Sequence, residues 1–201
     1  MDLAVALVQT YLRVNGYFTV TEFPIVELPR GEDYRTATDV DVLAVRFPSA
    51  QRIVPGETRN PRHASFEPDP ALVVPADHID MIVGEVKEAT AEFNRAGLRP
   101  DILEAALARF GCCSISAKGE VARALLERGR AKTGLGHDVR LIAFGGKPGG
   151  RGPYLQIPLG HVIDFLSDYV RAHWDVLKHT QSKDPALGFL MLMEKLKVGS
   201  D

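Results

Sequence analysis

The chain has 201 residues, 45% of them hydrophobic and 25% charged, with a formal net charge of −2. These are averages of soluble globular proteins and exclude a disordered, collagen-like or coiled-coil chain. Its longest apolar stretches, Leu3 to Val8 and Leu187 to Met193, fall far short of the roughly 20 residues that cross a bilayer, so no membrane span or membrane partner is expected.

The only cysteines are the neighbours Cys112 and Cys113, which provide no disulfide framework, and Asp2 stands where a secretory signal carries a cation. A cytoplasmic location is therefore expected. The net charge hides a division: residues 1–117 sum to −6, residues 118–151 to +5 and the remainder to −1. An acidic front and a basic middle suit metal-binding carboxylates beside a phosphate-binding surface, although an Arg-rich solvated helix has the same charge.

The first segment repeats Leu3, Leu7, Val8 and Tyr11 at three- and four-residue spacing and stops at Asn15-Gly16, a helix with a glycine stop. Tyr17 to Leu28 is aromatic and β-branched and reads as a strand bent at Pro24, and Thr38 to Phe47 as a second strand on which Asp39 and Asp41 share a face. Residues 49–76 hold five of the chain's 13 prolines and form a long excursion. Ile79 to Lys87 resumes a strand.

Leu98 to Phe110, entered at Pro100-Asp101, and Ala117 to Arg130 read as helices, the second with Val121, Leu125 and Leu126 inward and arginines outward. Val139 to Phe144 is an apolar strand, followed by Gly145 to Gly152, which lacks the order of a phosphate loop and reads as a flexible turn. A long helix over Leu159 to Leu177 and a last one over Pro185 to Leu196 close the chain. The elements compose one α/β fold: a core over 1–150 with a Pro-rich insertion at about 49–76, and a C-terminal helical extension over 151–201 packed on it.

The chemistry concentrates in two strands, Thr38-Asp39-Val40-Asp41-Val42 and Gly84-Glu85-Val86-Lys87-Glu88. Glu85 and Lys87, two apart on a strand, point to one face, and Asp41 on a neighbouring strand brings a second carboxylate beside Glu85. Two carboxylates and an ammonium on one face suit Mg²⁺, which takes one or two carboxylates and keeps waters for a phosphate to replace. Asp39 is an auxiliary ligand on this reading, with an ordinary solvent-facing acid as the alternative.

This arrangement resembles the PD-(D/E)XK nuclease superfamily, with Asp41 as the first acid, Glu85 as the second and Lys87 as the lysine. The contexts D-V-D-V-L-A and G-E-V-K-E look like those of its resolvase-like members, and the element order fits its αβββαβ core over roughly two-thirds of the chain. The resemblance implies a restriction-endonuclease-like fold with a mixed sheet. It also implies a Mg²⁺- or Mn²⁺-dependent hydrolase of phosphodiesters, in which Asp41, Glu85 and the Val86 carbonyl hold the metal and Lys87 positions the attacking water. Some members contribute an acid from the first helix; here Gln9 is the substitute.

The implied partner is nucleic acid, DNA ahead of RNA, held by the basic segment through Arg123, Arg128, Arg130 and Lys132. Arg46, Arg52, Arg59, Arg62 and His63 are candidates for a substrate arm. The other expectation is a catalytically inactive binding or assembly module on the same fold, with the C-terminal helices as a homodimer face.

Overall fold

The structure, a computed structural model, describes residues 2–52 and 67–198. It is an α/β protein built on a mixed, six-stranded sheet. Helix α1 (Leu3–Val14) leads into β1 (Phe18–Glu27), β2 (Arg35–Arg46) and β3 (Asp80–Thr90). Helices α2 (Pro100–Phe110) and α3 (Lys118–Arg128) precede β4 (Arg130–Lys132), β5 (Asp138–Lys147) and β6 (Leu155–Pro158). Helices α4 (Leu159–Ala172), α5 (Trp174–Leu177) and α6 (Pro185–Val198) follow.

Strands β1, β2 and β3 form an antiparallel meander, and β5 lies parallel to β3. The far edge of β5 is shared: β4 pairs antiparallel with its first residues, and β6 pairs parallel with Ile142 to Gly145. The sheet thus runs past residue 150, where the C-terminal extension was expected to begin. β4 and β6 escaped the sequence reading because three and four residues are too few to display a period.

Hydrophobic alternation sends the two sheet faces into two cores. On one, Val42, Ala44, Ile82, Ile142 and Phe144 pack with Val5, Val8 and Leu12 of α1 and with Val162 and Leu166 of α4. On the other, Leu43, Val83, Leu141 and Ala143 pack with Ile102, Leu103 and Leu107 of α2 and with Val121 and Leu125 of α3. Asp2 caps α1 by accepting from the Ala4 N–H at 2.7 Å.

Three expected elements are corrected. The helix after Ala117 ends at Arg128, because Gly129 takes φ 67° and a Cβ there would stand 2.1 Å from the Pro153 carbonyl oxygen. Arg130 and Lys132 consequently lie on a strand. The helix expected from Leu159 to Leu177 breaks at His173, which separates α4 from α5. Gly145 and Gly146 belong to β5 and press on the backbone of Glu88 to Ala91, so the glycines answer a close approach of two chains rather than a flexible turn.

Most of the Pro-rich excursion, with Arg59, Arg62 and His63, lies outside the described residues. Its return is anchored: Leu72 is fully buried, and Asp69, 3% exposed, accepts from Tyr11 Oη at 2.7 Å and pairs with His161 Nε2 at 2.6 Å. Nearby, Arg140 makes a double contact with buried Asp80, at 2.8 and 2.5 Å, and Tyr17 Oη donates to the same carboxylate at 2.5 Å. Among the described residues no helix is long and apolar enough to cross a membrane.

Candidate metal centre at a fork in the sheet

Pairing between β2 and β3 runs from Arg46 opposite Asp80 to Val42 opposite Gly84, and stops there. One residue further, where Asp41 would face Glu85, the strands part. β2 continues with β1 through Val40 opposite Phe23, while β3 continues with β5 through Glu85 opposite Ala143 and Lys87 opposite Gly145. The two acids therefore meet at a fork, where backbone groups that a ladder would consume are open to side chains. Asp41 uses this opening: its Oδ2 accepts the Val86 N–H at 2.7 Å. Val86, expected to offer its carbonyl, meets Asp41 through its N–H.

The fork is also strained. Thr21 pairs with Val42 and Phe23 with Val40, but the intervening Glu22, opposite Asp41, has φ 51°. A non-glycine residue in the left-handed region costs on the order of 1–3 kcal/mol and persists only where its surroundings impose it.

Glu85 is 5% exposed, on the sheet face covered by α2. Its Oε1 accepts from Asn94 Nδ2 at 2.8 Å and stands 4.0 Å from Lys87 Nζ. Burial, and then the negative charge of Asp41, push its pKa from 4.5 up to about 7, against the opposing pull of Lys87 and Asn94. Burial raises Asp41 too, and the charges of Asp2 and Asp39 add to it, while the Val86 N–H and Lys87 act in the other direction. Asp39, exposed and paired with Pro24, shares with Glu85 and Gly97 the lining of a cavity of about 10 Å³, room for one water at most.

The residues present fit a hard divalent cation. Asp41 is held by the Val86 N–H and Glu85 by the side-chain amide and the backbone N–H of Asn94, and both carboxyls resist ionisation, a cost that a cation relieves. Among the described residues no group of three or more His, Cys, Asp or Glu side chains is arranged to hold a metal, so a cation here would rest on two carboxylates and keep several waters, as Mg²⁺ does.

Gln9 lies two turns into α1, buried, and no hydrogen bond or ion pair among the described residues joins it to Asp41, Glu85 or Lys87. The acid of α1 whose charge reaches Asp41 is Asp2, the N-cap. Asn94 and Glu22 were also missed in the sequence. An Asp just ahead of a helical repeat was a legible cap signal, but nothing in the sequence could place it beside Asp41.

The basic residues form a separate surface. Arg123, Arg128 and Lys132, all exposed, line a groove of about 570 Å³ between α3 and β4, together with Glu120 and Glu127, so much of the segment's positive charge is cancelled locally. Arg130, exposed on β4, pairs with Arg140, three residues before the Ala143 that pairs with Glu85. Two strand spacings across and three residues along put the groove's strand about 14 Å from Glu85. Arg140 itself is sequestered by Asp80 and Arg46 by the Asn15 carbonyl, and Arg52 donates to Tyr169 Oη at 2.6 Å. Comparison with known proteins finds no matching family model, curated protein or solved structure.

Proposed function

We propose that this protein is a metal-dependent phosphodiesterase acting on nucleic acid, on a restriction-endonuclease-like αβββαβ core of the PD-(D/E)XK type. One observation carries the reading: at the fork, Asp41 and Glu85 come from adjacent antiparallel strands one residue past the end of their ladder, and Lys87 stands two residues on, 4.0 Å from Glu85. Mg²⁺ or Mn²⁺, when bound, supplies Lewis acidity to the scissile phosphate and lowers the pKa of a coordinated water.

The chain's own residues do the rest. Asp41 and Glu85 offer their carboxylates, Asp41 oriented by the Val86 N–H and Glu85 by Asn94. Lys87, one-third exposed, donates to and orients the attacking water from the rim. The groove residues Arg123, Arg128 and Lys132, with Arg130 beside them on β4, bind backbone phosphates away from the cut, and DNA is the expected polymer.

A second reading, an inactive binding or assembly module, is favoured by the burial of Glu85 and its engagement by Asn94, which leave little room for a substrate oxygen. Incubation with labelled single-stranded, duplex and branched DNA and RNA in Mn²⁺ separates the two. The nuclease reading expects metal-dependent cutting that Asp41→Asn and Lys87→Ala abolish, with Lys87→Ala still binding Mn²⁺. Wild-type protein that binds Mn²⁺ yet cuts none of these substrates supports the module instead.

A further inference from the structure

We infer that Asn94 is a positioning residue for the metal centre, orienting the Glu85 carboxylate for the cation. The inference rests on the metal reading of Asp41 and Glu85. Asn94 lies in the loop after β3, and this loop is pinned on both sides. Before it, Ala91, fully buried, donates to the Lys147 carbonyl at 2.9 Å, and Phe93, 8% exposed, packs at a tilt against Tyr154 at 5.0 Å between ring centroids. After it, the Gly97 N–H donates to Asn94 Oδ1 at 2.5 Å.

That last contact removes the ambiguity of the amide. A backbone N–H requires an acceptor, so the oxygen of Asn94 faces Gly97 and its NH₂ faces Glu85, where Nδ2 donates to Oε1 at 2.8 Å. Lys87 Nζ approaches the same Oε1 at 4.0 Å. The amide thus holds Oε1 by a hydrogen bond while Lys87 reaches it only as a long ion pair, and the Asn94 backbone N–H also acts on this carboxylate. The other oxygen, Oε2, lies over Gly97, where even a Cβ would come within 3.4 Å of it. Asn94 therefore does for Glu85 what the Val86 N–H does for Asp41: each holds the carboxylate and orients it for the cation. Groups that orient metal ligands in this way typically contribute 10- to 100-fold in metal affinity.

The test is a double-mutant cycle read by Mn²⁺ titration, following loss of the free-ion electron paramagnetic resonance signal, with the metal-free melting temperature as a folding control. Asn94→Ala is expected to weaken Mn²⁺ binding 10- to 100-fold in the wild-type background. In a Glu85→Asp background, where the shortened carboxylate no longer reaches Asn94, the same substitution is expected to change binding less than about twofold, because the interaction it removes is already absent. Equal affinity of wild type and Asn94→Ala overturns the inference and leaves the metal site standing. An equal loss in both backgrounds also overturns it, since Asn94 would then act on the loop and not through Glu85. Absence of Mn²⁺ binding by the wild type overturns the metal reading and this inference with it. Should Asn94→Ala fail to fold, Asn94→Ser, whose hydroxyl is too short to reach Glu85, takes its place in the same cycle.

Discussion

At the scale of single residues the decisive feature is a carboxyl group kept where it resists ionisation. Glu85 has a folded-state pKa of about 7 against an ordinary 4.5, so the folded protein holds a proton there that the unfolded chain releases. The sign follows by linkage: folding is not penalised below about pH 4.5, and stability is lost as pH rises towards and through about 7. Glu85→Gln, which keeps an oxygen for Asn94 and never ionises, is expected to stabilise the metal-free protein at pH 8 by on the order of 1–3 kcal/mol, several degrees in Tm. The gain should vanish near pH 4. Thermal melts of both proteins from pH 4 to 8 check this, and a constant difference across the range would show that Glu85 does not titrate as described. Saturating Mn²⁺ should reverse the order, stabilising only the wild type by mass action.

At the scale of elements, the geometry of the fork depends on how β5 approaches the end of β3. Lys87 pairs with Gly145, and the register then shifts before Thr90. A Cβ at Gly145 would stand 2.3 Å from the Ala91 backbone nitrogen, with no flexible side chain to give way. Gly145→Ala is expected to cost about 3 kcal/mol and to disturb Lys87, measurable as a lower denaturation midpoint together with weaker Mn²⁺ binding. At the other end of β3, Arg140→Met strands the 1%-exposed Asp80 carboxylate. Removing one partner of a buried pair costs roughly 3–5 kcal/mol. Because Asp80 lies five residues before Glu85 in β3, Mn²⁺ affinity should survive this change in whatever fraction remains folded, and urea melts with and without metal separate the two effects.

At the scale of the whole molecule, two surfaces remain outside the fork. If the groove between α3 and β4 carries the phosphates, each one neutralised adds roughly 0.9 to the slope of log affinity against log salt for a duplex. Replacing Arg123, Arg128, Arg130 and Lys132 by glutamine should flatten that slope by about 3.6 and weaken all sequences alike, with metal binding intact. An unchanged slope in fluorescence anisotropy would move the phosphate surface elsewhere. On α6, Phe189, Leu192, Met193 and Leu196 are 62%, 52%, 40% and 64% exposed and follow i, i+3, i+4, i+7, a stripe opposite the packed Leu187, Leu190 and Met191. The expected homodimer would use this stripe: light scattering should give twice the 22.0 kDa chain mass, falling to the monomer in Phe189→Glu/Leu192→Glu. A monomeric wild type at micromolar concentration would remove the dimer.

The sequence by itself determined the α/β class, the long helices and strands, and the acids and lysine of the fork, because those depend on local period: apolar residues at 3.6 for α2 and α3, and alternation around Glu85 and Lys87 on β3. The start of α2 at Pro100 was equally local. What depended on the approach of distant segments was decided only by the tertiary structure. The end of the β2–β3 ladder is set by strand divergence, so the sequence could not tell a paired Asp41–Glu85 position from an open one. Asn94 reaches Glu85 through the loop after β3, and Gln9, plausible by composition, is buried within α1. Gly145 and Gly146 looked flexible because a glycine's freedom is written in the residue itself, whereas the chain that presses against it is written some 55 residues earlier, at Glu88 to Ala91.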